Sequence, residues 1–143
     1  SCRMDETAAR IVLYLYETKL TKTSDGVFNG GFNTYYAEQF MPRPCTAANE
    51  NWPAVADPDD ERYRQQAINT LGNYFLLHIC NEKGLKKYHN EGFDKKLGLF
   101  KKFCRDIRSG QILDSLRGWD EGAIGNRNKV LASGFCDRIW PLD

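Results

Sequence analysis

The sequence lacks any apolar run near the roughly 20 residues that a membrane-spanning helix requires, and residues 1–6 carry no apolar signal region. It also lacks internal repeats and low-complexity tracts. These absences argue against a membrane protein and a repeat protein. Of the 143 residues, 41% are hydrophobic and 13% are aromatic, which is typical of a globular chain rather than a disordered one. The length predicts a single domain over residues 1–143, and the abrupt start predicts a C-terminal fragment of a longer protein.

Cysteine is present, but not in the pairs that zinc-ribbon or redox sites need. The five cysteines stand at positions 2, 45, 80, 104 and 136, an odd number without CxxC spacing. This arrangement excludes a zinc ribbon and a thioredoxin-like redox motif. We expect buried free thiols in a reducing cytoplasm, and hence a cytoplasmic protein.

The formal net charge is only +1, but basic residues are concentrated in one block. Residues 1–81 carry a net charge of −3, residues 82–108 of +5 and residues 109–143 of −1. A basic block of this kind can meet phosphate groups and indicates DNA contacts. The alternative is a solvated helix face without a ligand. The side chains that we assign to DNA binding are Lys83, Lys86, Lys87, His89, Lys95 and Lys96.

Hydrophobic spacing and turn residues predict an α+β fold in which helices predominate. Ile11, Leu15 and Thr18 recur at helical spacing and predict a first helix whose packed face they form. Aromatic and apolar runs predict two strands, at 32–40 and 74–79, which pair like a short hairpin. The predicted helices cover residues 5–20, 59–68, 93–108, 111–117 and 121–139, the last with Asp120 as its N-cap, and a short helical turn falls within 82–90.

Two segments carry residues suited to phosphodiester hydrolysis. The first ends in Glu38-Gln39 and a nearby proline, and the second runs from a Gly-Asn turn at Asn73 through an apolar stretch to Asn81. Hydrolysis needs a base that activates water, a divalent cation that holds the phosphate, and a group that orients the base. A strand that ends in a carboxylate and a histidine, followed by two loop asparagines, supplies all three. Glu38 occupies the carboxylate position, Gln39 the histidine position, and the two asparagines the remaining positions.

Each of these residues also has an ordinary interpretation. Glu38 can be a strand-end carboxylate without a ligand, Asn73 a turn residue and Asn81 a cap. In the functional interpretation, Glu38 and Asn81 are ligands of one Mg²⁺ or Mn²⁺ ion, since both cations prefer carboxylate, amide and water oxygens. Asn73 then braces the residue at the base position.

Motifs along nearly the whole chain, in the right order, match one nuclease family. They include a Glu-His-x-x-Pro motif, here Glu38 to Pro42 with Gln39 in place of the histidine, and a Leu-Gly-Asn segment that continues to Asn81. The sequence thus resembles the C-terminal His-Me finger (HNH) nuclease domain of GmrSD-type, modification-dependent restriction enzymes. The other matched positions are the helix motif 10–17, Trp52, Asn90, Phe93, Lys96, Trp119, Ile124, Arg127, Ile139, Trp140 and Pro141.

The resemblance implies a fold and a function. The expected fold is α+β, with a short β-hairpin plus helix (a ββα-metal, His-Me finger core) embedded in a mainly helical domain. The implied function is that of a metal-dependent DNA endonuclease domain in a modification-dependent, type IV-like restriction or phage-defence system. It would use one Mg²⁺ or Mn²⁺ ion, held by Glu38 and Asn81, and would act with an N-terminal NTPase domain or partner subunit.

Gln39 is the main departure from the family pattern, because a glutamine amide cannot take a proton from water near neutral pH. We therefore expect an inactive or very weak enzyme. An engineered change, a natural loss and a different base are three explanations that stay open. His78, which we expect in the core, and His89, which we expect at the surface near phosphate, are the other histidines. The alternative function is a catalytically dead, nuclease-derived module that binds DNA or a protein.

Overall fold

The computed structural model describes residues 4–22, 31–42, 52, 58–79, 85–104 and 107–134, and these residues form the predicted α+β fold. The main elements are α1 (Glu6–Lys22), β1 (Tyr35–Gln39), α2 (Pro58–Ile68), β2 (Tyr74–His78), α3 (Phe93–Phe103) and α4 (Glu121–Gly134). Short 3₁₀ helices cover Phe32–Thr34, Leu71–Asn73 and Arg108–Ser115. Within the described ranges, no helix has the length and apolar character needed to cross a membrane.

The two strands pair antiparallel, as predicted, and both faces of the pair are covered. Tyr35 lies opposite His78, and Gln39 lies opposite Tyr74. Because successive side chains of a strand point to opposite faces, β1 contributes to two clusters. Its Tyr36 belongs to a large aromatic cluster with residues of α3, whereas Tyr35 packs with residues of α1. The strand is shorter than the predicted 32–40, since residues 32–34 form a 3₁₀ helix.

Phe40, directly after β1, is the centre of the larger cluster. Its ring makes contacts with Trp52, Phe93 and Phe100 at centroid distances of 5.3, 5.8 and 5.1 Å. Aromatic pairs at such distances contribute beyond the area that they bury. The cluster therefore anchors α3 against the end of β1, next to the residues singled out as a possible active site.

Helix α1 was predicted correctly in position but wrongly in its packed face. Ile11 and Leu15 are 45% and 43% exposed, whereas Ala9, Leu13 and Glu17 are fully buried. The Glu17 carboxylate accepts hydrogen bonds from the backbone N–H groups of Arg108 (3.0 Å) and Ser109, at the start of the third 3₁₀ helix. These hydrogen bonds satisfy the buried Glu17 carboxylate, and the buried face of α1 lies two positions, or about 200°, away from the predicted one.

The predicted helix over 93–108 is wrong at its end, because α3 stops at Phe103. Cys104 follows it, and its Sγ donates a hydrogen bond to the Leu76 carbonyl at 3.2 Å. Gly110 packs so closely on this residue that a Cβ there would lie 2.8 Å from Cys104 Sγ. Burial raises the pKa of the free Cys104 thiol, so the prediction of a buried free thiol is confirmed at this position. The other four cysteines lie outside the described residues.

Helix α4 begins as predicted, with Asp120 Oδ1 accepting a hydrogen bond from Ala123 N at 2.8 Å. Its predicted end, residues 135–139, lies outside the described part of the chain. From α4 the buried Arg127 donates hydrogen bonds to the carbonyls of Gly72 (3.0 Å), Tyr74 (2.6 Å) and Ser109 (2.9 Å). Burial lowers the pKa of Arg127 to about 10, which still leaves the guanidinium charged at neutral pH. Arg127 thus ties the start of β2 to the third 3₁₀ helix.

Candidate functional site

Glu38 and His89 form a carboxylate–imidazole pair between two segments that are distant in sequence. Glu38 Oε1 lies 3.2 Å from His89 Nδ1, although 51 residues separate them. Glu38 is near the end of β1, and His89 belongs to the turn at residues 85–90, which follows β2. Glu38 is 4% exposed, whereas the His89 side chain is 30% exposed. The pair is therefore buried on the strand side and open to solvent on the histidine side.

A buried carboxylate is costly unless it has a hydrogen-bond partner or a counter-charge. His89 gives Glu38 a hydrogen-bond partner, since an imidazole nitrogen can donate to a carboxylate oxygen. A pair of this kind can stabilise the fold, hold a cation between its two atoms, or transfer a proton. Because the His89 side chain is partly exposed, a cation or a substrate can reach the pair, as cation binding and proton transfer both require.

Lys96 joins the same two segments from the side of α3. Its Nζ donates hydrogen bonds to the backbone carbonyls of Gln39 (2.8 Å) and His89 (3.1 Å). The residue is 1% exposed, so its ammonium group is in the protein interior. The prediction that Lys96 contacts DNA stays a prediction, and its observed contacts are those of a residue that supports the site from within.

Gln39 is buried and lies on the face of β1 opposite to Glu38, because the two residues are neighbours in a strand. Its Nε2 donates hydrogen bonds to the Ile68 carbonyl at 3.0 Å and to Asn69 Oδ1 at 3.4 Å. These two hydrogen bonds hold the Gln39 amide at the end of α2. An amide in this position orients the chain but supplies no base.

Asn73 is fully buried, and its side chain makes four hydrogen bonds, which is all that an amide can make. Its Oδ1 accepts from Met41 N (2.9 Å) and Trp119 Nε1 (3.1 Å). Its Nδ2 donates to the carbonyls of Met41 (3.0 Å) and Ile68 (3.1 Å). The amides of Asn73 and Gln39 therefore share the Ile68 carbonyl, and Asn73 fixes the chain just after the predicted base position.

The described lysines of the predicted DNA-binding set differ in exposure. Lys86 and Lys87 are exposed, and Lys95 has a 55% exposed side chain that pairs with Glu91 Oε1 at 3.4 Å. The ammonium groups of Lys87 and Lys95 lie 5.0 and 4.8 Å from the centre of the Tyr88 ring. These lysines surround the residue next to His89 and make its vicinity electropositive. Lys83 lies outside the described residues.

Of the two predicted metal ligands, Glu38 lies within the described residues and Asn81 lies outside them. Among the residues that are described, no group of three or more His, Cys, Asp or Glu side chains is close enough to hold a metal ion. Glu38 and His89 provide two donor atoms at one place. His78 lies at the other end of the strand pair, opposite Tyr35, whose ring centroid is 5.1 Å away. Because Tyr35 is three residues before Glu38 in β1, His78 is about 10 Å from Glu38 along the strand direction.

The contact between His89 and Glu38 was missed in the sequence, where His89 was expected at the surface near phosphate. The sequence did contain one signal for this contact, because His89 lies in the polar segment that follows β2. No protein-family model, curated protein or solved structure was found to match the chain.

Proposed function

We propose that the chain is a metal-dependent DNA endonuclease domain with a ββα-metal, His-Me finger core. The observation that carries this proposal is the buried Glu38 carboxylate, whose Oε1 faces the partly exposed His89 at 3.2 Å. The order of a strand with a carboxylate, an antiparallel strand and a turn with a histidine supports the proposal. Such a domain would act in a modification-dependent restriction or phage-defence system in the cytoplasm. An NTPase domain or subunit would be its partner.

The distance within the pair suits one divalent cation. Adjacent ligands of an octahedral Mg²⁺ ion, at 2.0–2.1 Å from the metal, are about 3 Å apart. Glu38 Oε1 and His89 Nδ1 are 3.2 Å apart. The cation would supply positive charge to the phosphate, and the side chain of Asn81 would complete the set of ligands. Because one donor is an imidazole nitrogen, we expect Mn²⁺ to serve better than Mg²⁺.

The site has no general base at the position where the family pattern has a histidine. The Gln39 amide is not basic, and its Nε2 is bonded to the Ile68 carbonyl. General bases contribute about 10²–10⁴-fold to a rate, so the unmodified chain should cut DNA very slowly or not at all. A histidine at position 39 would restore the residue of the family pattern. To act as the base, its ring has to turn from the Ile68 carbonyl towards Glu38, because Gln39 lies on the opposite face of β1.

Plasmid cleavage with Mn²⁺ or Mg²⁺ tests the proposal by comparing the unmodified chain with Gln39→His. We expect the histidine to increase cleavage by about 10²–10⁴-fold. In that background, Glu38→Gln should abolish the gain, because it removes the charged metal ligand. Glu91→Gln is the matched control, since it neutralises an exposed carboxylate two residues from His89 and should leave cleavage unchanged.

Two outcomes of this experiment would change the proposal. If Gln39→His is folded by circular dichroism, and neither it nor the unmodified chain cuts the plasmid with either cation, the nuclease function is refuted. If the unmodified chain already cuts and His89→Gln stops it, His89 rather than position 39 supplies the base. The orienting partner of that base would be Glu38.

The second candidate function is a module that binds DNA without cutting it, and the exposed lysines around Tyr88 favour it. Removing one lysine–phosphate interaction reduces the slope of log K against log salt by about 1. Replacement of Lys86, Lys87 or Lys95 by Gln should in each case have this effect on duplex binding measured without divalent cations. Lys129→Gln, an exposed lysine of α4, is the control and should not change the slope. Equal slopes for all variants would exclude this surface.

A further inference from the structure

Lys96 connects the two segments that carry the Glu38–His89 pair. Its Nζ donates to the carbonyl of Gln39, the residue next to Glu38, at 2.8 Å, and to the carbonyl of His89 at 3.1 Å. We propose that Lys96 is a positioning residue, which holds the turn at residues 85–90 against the end of β1 and so keeps the His89 imidazole in contact with Glu38. This role rests on the function proposed above.

The burial of Lys96 is the first argument for this role. Lysine is rarely buried, since its ammonium group loses hydration that only well-placed acceptors can replace. Lys96 is 1% exposed, whereas the next residue towards the N-terminus, Lys95, has a side chain that is 55% exposed. A methionine would fill the same space without this cost. The Lys96 ammonium group instead donates hydrogen bonds to two backbone carbonyls of the candidate site.

The anchoring of α3 is the second argument. Phe93 and Phe100, on either side of Lys96, are buried against Phe40 at ring distances of 5.8 and 5.1 Å. The backbone at Lys96 is therefore fixed relative to the end of β1. The turn that carries His89 consists of hydrogen-bonded turns and one short helical piece, and residues 85–90 form no strand. Because the Lys96 ammonium group binds the His89 carbonyl, it holds the turn, and with it the imidazole, at a fixed distance from α3.

Nuclear magnetic resonance of the His89 ring tests the proposal without DNA or metal. Glu38→Gln is introduced into the unmodified chain, into Lys96→Met and into the control Lys95→Met, and His78→Gln identifies the ring signals that belong to His89. We expect Glu38→Gln to shift the His89 signals in the unmodified chain and in the control. In Lys96→Met the same change should leave them in place, since the pair has already separated.

The proposal is overturned if Glu38→Gln shifts the His89 signals equally in Lys96→Met, or if it has no effect in the unmodified chain. Should Lys96→Met not fold, the unmodified protein still gives a decisive result. Its Lys96 ammonium protons should exchange slowly and show couplings across hydrogen bonds to the carbonyl carbons of Gln39 and His89. Exchange as fast as that of Lys95 would refute the proposal.

The same experiments separate this proposal from the nuclease function. Dependence of the His89 signals on Lys96, together with an intact plasmid in the cleavage assay, would refute only the nuclease function. Metal-dependent cleavage by Gln39→His, together with His89 signals that do not depend on Lys96, would refute only the positioning role.

Discussion

Replacement of Asn73 by alanine should destabilise the protein strongly. The change removes four buried hydrogen bonds at once. Met41 N and Trp119 Nε1 lose their acceptor, and the Met41 carbonyl loses a donor, whereas the Ile68 carbonyl keeps the Gln39 amide. A buried polar group left without its partner costs about 1–3 kcal/mol. Because water and small shifts relieve part of this cost, we expect a loss of about 3–5 kcal/mol in the free energy of unfolding.

Urea unfolding, followed by circular dichroism and tryptophan fluorescence, measures this loss. Asn126→Ala is the control, since Asn126 is exposed on α4 and its replacement should change the free energy of unfolding by no more than about 0.5 kcal/mol. Asn73→Asp separates hydrogen bonding from volume, because it keeps the size but turns an oxygen towards the carbonyls of Met41 and Ile68. A loss below about 1 kcal/mol for Asn73→Ala, or a neutral Asn73→Asp, would refute the reasoning.

Further predictions concern packing in other parts of the fold. Gly72→Ala should lower the free energy of unfolding, since its Cβ would collide with the Ile124 carbonyl oxygen, and an unchanged urea midpoint would contradict this. Gly98→Ala, inside α3 where a Cβ meets nothing within 4 Å, should instead raise it by about 0.5–1 kcal/mol. Cys104 should not react with a maleimide in the folded protein and should react after unfolding in urea, because burial raises the pKa of its thiol. Peptide mapping that finds Cys104 labelled in the native state would refute that assignment.

The main elements could be predicted from the sequence because their signals are local. The cap at Asp120, the aromatic run of β1 and the apolar run of β2 act within a few residues, and the structure has a helix and two strands there. The face of α1 could not be predicted in the same way. Glu17 is buried because its carboxylate accepts hydrogen bonds from Arg108 N and Ser109 N, about 90 residues further along the chain. No spacing rule within the helix contains that information.

The candidate site could likewise be predicted only where its signals are local. Asn73 was expected to brace the residue at the base position. Its side chain contacts Met41 and Ile68, and the bracing role stays a prediction. The pairing of His89 with Glu38 depends on how the turn after β2 packs against β1. That packing involves a buried Lys96, which a sequence pattern presents as one more basic residue of a charged block.

The measurement that tests the central claim most directly is a titration of the protein with Mn²⁺, observed through the ring signals of its two histidines. A bound paramagnetic ion broadens the signals of nearby nuclei. The account predicts that His89 broadens before His78, that Glu38→Gln removes this difference, and that Glu91→Gln preserves it. Equal broadening of both histidines, or selective broadening of His89 that persists in Glu38→Gln, would contradict a metal site at Glu38 and His89.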